Sequence, residues 1–269
     1  MVSKKAGLNF NPDTDALFYR GHSNQDYILE PSLFREQGKK HIINEDKMYK
    51  EMIMGNPSLF SEDSSTLERL VKMQHFSLPT RLLDITENPL VALYFACKSH
   101  PEKDAHFITL KIKRKNIKLY DSDTVSSIAN LAPVEWKIKN LLEKTDMTNP
   151  EQSDAEFEKN RYHIHRHILA EKPGFLDIIE KKSIISNIVC VKTKMNNARI
   201  RVQAGAFLIF GLNSNLALKN PSILVKRTTI KGKDKGPILD ELEAMNISEK
   251  TLFPDPDISA KSISNFYKS

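Results

Sequence analysis

The stretch Met73–Ala96, MQHFSLPTRLLDITENPLVALYFA, decides how this chain is read. Asn88 has the character of a helix N-cap and Pro89 of a first helical residue. From Leu90 to Cys97 the sequence is apolar all round, which predicts a central, buried helix. The residues just before it are the opposite: Thr80 to Glu87 reads as a polar loop leading into that helix, where free backbone amides favour an anion. Polar side chains held against a buried element are costly unless they pair with one another or with a ligand.

Working outward, Ser65 and Glu68 form a capping box before Leu67, Leu70, Val71 and Gln74, which predicts a helix over 65–76 with Gln74 on its inward face and Pro79 beyond its end. Upstream, Ala16 to Tyr19 reads as a short buried strand that delivers Arg20 at its end, with Gly21 allowing a sharp exit. Asn44–Met54, Pro133–Lys144, Glu151–Glu171, Pro237–Met245 and Ile258–Tyr267 read as helices. His106–Lys113, Ser183–Lys192, Arg199–Phe210 and Ile223–Ile230 read as strands. Helices and strands out of strict alternation predict an α+β fold: one domain over 17–269, with a mixed or antiparallel sheet packed by the buried central helix, after a flexible N-terminus at 1–16.

Two more polar clusters sit in apolar settings, Phe18-Tyr19-Arg20-Gly21 and Arg201-Val202-Gln203-Ala204-Gly205-Ala206-Phe207. Together with the opening stretch they are expected to wall one site. Arg20 can clamp a phosphate in a bidentate fashion, or pair internally with Asp84 or Glu87. Arg81 is a second cation for the same anion, while Asp84, three residues on, can pair with it and lock the loop together with Thr80. Gln74 can recognise an amide or a base edge, or tie down the following turn. His75 is either an acid–base group or a hydrogen-bonded loop residue. Strand alternation puts Arg199, Arg201, Gln203, Gly205 and Phe207 on one face, with Gly205 marking a close approach or a bulge. Glu87 stands where a carboxylate favours a helix N-terminus.

These residues resemble the FRG domain, a bacterial and phage family named for a Phe/Tyr-Arg-Gly signature. The likeness runs through FYRGHSNQDYILEP (Phe18–Pro31), the Met73–Ala96 stretch, Arg201–Phe207 and LFPDPD (Leu252–Asp257). Family members occur among toxin-like and phage-defence proteins. The Tyr-Arg-Gly start also resembles the first motif of Arg-Ser-Glu class ADP-ribosyltransferases. The Ser-Thr-Ser triplet and Glu-x-Glu pair of that class are not found, and Gln203 is followed by Ala204 and Gly205. The resemblance implies a pocket for NAD or a related nucleotide and transfer of ADP-ribose to a macromolecule. In that scheme Arg20, Gly21, Gln74, Thr80, Arg81, Asp84 and Gly205 bind, and Gln203, Glu87 and His75 take the catalytic positions. The alternative is a non-catalytic module that senses a nucleotide or a phage component.

Composition narrows the field. Forty per cent apolar residues supply a core, and 28 per cent charged residues with only nine glycines argue against long disorder. Cys97 and Cys190 fall in apolar segments and read as buried thiols of a reducing, cytoplasmic compartment; no apolar run approaches a membrane span. The net charge of +6 is concentrated in Lys111–Lys118 and Lys231–Lys235. Such stretches attract nucleic acid or form a solvated strand edge guarded by lysines, so the acceptor stays open between nucleic acid and protein, with an antitoxin or phage protein as a further partner. His163 and His167 have helical spacing for a shared metal, but no third ligand accompanies them, and no metal site is expected.

Overall fold

A computed structural model describes residues 9–35, 39–144, 150–176, 182–194, 201–212 and 222–253, with Ser264. Among them, β1 (Asp15–His22) precedes α1 (Lys39–Ile43), α2 (Glu45–Gly55), α3 (Pro57–Phe60) and α4 (Thr66–His75). There follow β2 (Leu82–Thr86), α5 (Pro89–Cys97), β3 (Ala105–Lys113), β4 (Ile117–Leu119), α6 (Asp123–Ala129), α7 (Trp136–Lys144), α8 (Pro150–Glu171) and α9 (Lys182–Ile185). The chain continues through β5 (Ile188–Lys192), β6 (Gly205–Phe210), β7 (Ile223–Ile230), α10 (Lys235–Ala244) and α11 (Glu249–Leu252). The strands form one seven-stranded sheet, ordered β4-β5-β6-β2-β1-β3-β7. Every pairing is antiparallel except β4 with β5. This is the α+β domain that the pattern predicts.

Both faces of the sheet are covered, so the central strands read as continuous apolar runs rather than as alternation. On one face Phe18, Leu83, Ile85, Ile108, Leu110 and Leu208 pack into a cluster with Leu29. On the other, Leu82, Val189, Val191, Phe207 and Ile209 pack against Tyr49, Leu70, Met73, Ile128, Leu142 and Ile164 of the helices. Helix α5 covers the β1 end of that second face. Gly21 makes its close approach possible: a Cβ there would sit 2.1 Å from Ala92 O and 2.3 Å from Ala96 N. Gly21 therefore serves packing within β1, not a chain exit, and Arg20 lies inside the strand rather than at its end. The boundary expected at residue 16 likewise falls inside β1.

Capping follows the residues. Ser65 Oγ accepts from Glu68 N, though the Glu68 carboxylate turns to Ser64 N instead of closing the box. Asn88 Oδ1 accepts from Leu90 N, and Pro89 is the first residue of α5. That cap takes up an amide expected to be open to an anion. Helix α10 is pinned by Lys235, fully buried, whose Nζ donates to the carbonyl oxygens of Ser23 (2.7 Å), Ser99 (3.1 Å) and His100 (2.7 Å).

Several expectations are corrected. Residues 82–86, read as loop, form strand β2. The third strand begins at Gly205, because Arg201 and Val202 are helical and Ala204 takes the left-handed conformation (φ 46°). Val202 is exposed. Residues 182–185 are helical before β5 begins at Ile188. Arg199 and the helix expected at 258–267 lie outside the described residues, apart from Ser264. Both cysteines are buried and free, with burial raising their thiols to about 11 (Cys97) and about 12 (Cys190). No helix among the described residues is long and apolar enough to cross a membrane.

Candidate functional site

The register of the sheet sets out the site. Tyr19 faces Thr86, Thr86 faces Gly205, and Asp84 faces Phe207, so Tyr19, Gly21, Asp84, Thr86, Gly205 and Phe207 share one face across β1, β2 and β6. Helix α5 covers that face on the β1 side and α4 on the β2 side, and a gap remains between them. It is a cavity of about 180 Å³, closed laterally by Val71, Gln74 and His75 of α4 and by Val91, Ala92 and Phe95 of α5. Arg20 and Gln203 complete its wall.

The strands part at this point. Tyr19 with Thr86 is the one register pair of β1 and β2 among the described residues. Beyond it the Arg20 guanidinium fills in for the ladder: Nη1 donates to Asp84 O at 2.5 Å and lies 3.9 Å from Asp84 Oδ2, while Nε donates to His22 Nε2 at 3.3 Å. Burial presses the Arg20 pKa down and Asp84 opposes that shift, with Arg35 adding to it. An arginine remains charged regardless. Burial, with Arg20 alongside, pushes His22 down to about 3, so its ring is neutral and accepts the Arg20 proton. Burial also raises the Tyr19 hydroxyl, which stays protonated at the cavity wall.

Asp84 ties this corner to α4, because Gln74 Nε2 donates to Asp84 Oδ2 at 2.7 Å. Thr86 ties β2 to the third segment: its hydroxyl donates to Gln203 O at 2.5 Å and accepts from Asn88 N at 3.0 Å. Gln203 Nε2 in turn donates to Leu252 O at 2.9 Å, bringing α11 against the site.

Of the residues singled out from the sequence, the structure brings Arg20, Gly21, Gln74, His75, Asp84, Gln203 and Gly205 to the cavity. It leaves three elsewhere. Arg81 is not a second cation beside Arg20: its side chain is 1% exposed and is gripped at both ends of its fork by Glu45, at 2.9 and 2.5 Å. Its Nη1 also donates to Phe210 O at 2.7 Å, and Lys139 joins the same carboxylate at 2.7 Å. It therefore does not pair with Asp84 as expected. Glu87 does not line the cavity; it is half-exposed and holds Lys192 at 2.5 Å. Thr80 is buried and reaches the site only through Gln74 Oε1 (2.5 Å).

A second hollow of about 140 Å³ adjoins the first across Arg20, Gln74 and Asp84, which line both. Ser32, Arg35 and Ser77 are among its other walls. Arg35 is the second cation near Arg20, and no motif in the sequence singled it out. A positive residue four positions after Pro31 was the one available signal.

Residues 15–105 match the family model described as FRG domain. The chain carries an FRG domain. The matched segment holds β1, α4, β2 and α5, hence Arg20, Gln74, His75 and Asp84; Gln203 and Gly205 lie beyond it. Comparison with curated proteins and with solved structures yields no match.

Both basic stretches have cations held by the fold. Lys113 pairs with Asp15 at 2.6 Å, Arg114 donates to Pro12 O, and Lys231 pairs with Asp104 at 2.7 Å, so these three cations are tied into the fold. Among the described residues no group of three or more His, Cys, Asp or Glu is arranged to hold a metal.

Proposed function

We propose that the FRG domain of this chain binds a nucleotide, with NAD the leading candidate, and transfers its ADP-ribose part to a macromolecule. The observation that carries this reading is the pair of hollows sharing the wall Arg20–Gln74–Asp84. A dry cavity of about 150 Å³ takes up benzene, so the first hollow suits one planar ring and is too small for a whole dinucleotide. Tyr19, Phe95 and Phe207 offer faces and edges to such a ring, while the Gln74 and Gln203 carboxamides supply its polar contacts. In the second hollow Arg20 and Arg35 provide two guanidinium groups for phosphate oxygens. These donor sets fit the ring and the phosphates of NAD respectively.

NAD would supply a glycosidic bond whose cleavage releases nicotinamide. Asp84 is the one carboxylate among the described residues lining either hollow, and it replaces Glu87 as the nominee for the acidic role. Catalysis there would rest on positioning and fixed charge. A second reading draws on Asp84 itself. Its carboxylate is already engaged by Gln74 and lies beside Arg20, which suits a non-catalytic nucleotide sensor equally well.

Incubation with labelled NAD and a cell lysate separates the two. Release of nicotinamide with label on a macromolecule supports the transferase. Calorimetric binding without turnover supports the sensor, and neither binding nor turnover sinks both.

A further inference from the structure

The carboxamide of Gln74 is held at both ends. Thr80 donates its hydroxyl to Gln74 Oε1 at 2.5 Å, and Gln74 Nε2 donates to Asp84 Oδ2 at 2.7 Å. The direction of this relay is set at its Asp84 end. Leu82 N–H donates to Thr80 Oγ1 at 3.2 Å, taking one of that oxygen's two lone pairs, and the hydroxyl proton goes to Gln74. At the far end a carboxylate only accepts. A flipped amide would set its oxygen against the Asp84 carboxylate, which has no proton to give. Burial of Thr80, 1% exposed, keeps its end of the relay away from water, while the Asp84 side chain is 63% exposed.

We infer that Gln74 selects the guest of this site, and that the relay Thr80–Gln74–Asp84 turns a free N–H of its carboxamide toward that guest. With one hydrogen of its NH2 on Asp84, the other is free to donate at the wall common to both hollows. The group it takes is a hydrogen-bond acceptor carried on a planar ring, of the carboxamide or lactam carbonyl kind. A ring presenting a donor at that point meets a second hydrogen and is refused. The inference rests on the nucleotide reading above and narrows it to acceptor-bearing rings. Thr80 acts through Gln74 and is a positioning residue.

Two measurements on the full chain test this. In 15N-labelled protein without ligand, the two side-chain amide protons of Gln74 give distinct, unequal signals in the wild type and in Thr80→Ser. In Thr80→Val the amide is released at one end, and the pair shifts and broadens. Binding of nicotinamide is then compared with thionicotinamide, which has the same shape but a weakly accepting sulfur. The wild type prefers nicotinamide by about tenfold, the worth of one good hydrogen bond. Thr80→Val erases most of that preference and Thr80→Ser restores it. Unchanged Gln74 signals in Thr80→Val, or equal wild-type affinity for the two compounds, would overturn the inference. Wild-type protein that binds neither compound yet keeps the pinned signals would strike the nucleotide reading and leave the pinned carboxamide standing.

Discussion

The Arg20 guanidinium donates to the main-chain carbonyl of Asp84 at 2.5 Å, at the place where strands β1 and β2 stop pairing. A side chain thus completes a sheet that the backbone leaves open, at the wall of the cavity between α4 and α5. Arg20→Ala removes a charge-assisted hydrogen bond and should lower stability by about 1.5–3 kcal/mol, read by denaturant titration. It should also weaken nucleotide binding by at least about tenfold. Arg20→Lys keeps the charge but not the fork, and should recover stability better than binding.

Arg81 is a structural residue on this account. Arg81→Ala leaves the buried Glu45 carboxylate, 3% exposed, with Lys139 as its remaining cation and should cost about 3–5 kcal/mol. The fraction that folds should bind nucleotide as the wild type does. A stable Arg81→Ala protein with lost binding would return Arg81 to the site.

Gly21→Ala tests the packing of α5. The added methyl would meet backbone atoms of Ala92 and Ala96, which cannot swing aside as a side chain can. A loss of about 1–3 kcal/mol or more is expected, seen as a lower denaturation midpoint.

Stability should fall in acid. His22 drops from 6.5 to about 3 on folding, so between those values the unfolded chain binds a proton that the folded one refuses. Unfolding free energy therefore rises with pH across that window. Glu45 adds in the same sense: burial pushes its carboxyl up, but Arg81 and Lys139 together outweigh burial and hold it below its usual range. Its contribution is present above the unfolded pKa and is lost as pH falls through the folded one. His22→Gln keeps an acceptor for Arg20 without a titrating ring, and should flatten the pH profile between about 6.5 and 3.

Much of the fold was legible where a local rule suffices. The Asn88 cap, Pro89 and the all-apolar run announced α5, and the Ser65 cap with its stripe announced α4. β3 and β7 followed from their β-branched runs. β2 was hidden because five residues carrying Asp84 and Thr86, next to Thr80 and Arg81, look like a polar connection. Its apolar residues face both clusters instead of alternating with solvent. Arg81 could not be placed from sequence, since the carboxylate that neutralises it is Glu45, in a different helix. The left-handed turn at Ala204 broke the alternation that put Arg201 on the face of Gln203. What the sequence did carry was the grouping of Arg20, Gln74 and Gln203, because polar residues set in apolar surroundings need partners wherever the chain brings them together.

The central claim is that the two hollows beside Arg20 receive one nucleotide. The most direct measurement is a titration of 15N-labelled protein with NAD, followed residue by residue. Saturable shifts confined to Arg20, Arg35, Gln74, Gln203 and Phe207 and their neighbours, abolished by Arg20→Ala, are the predicted result. Shifts absent at millimolar NAD, or centred on another surface, would contradict it.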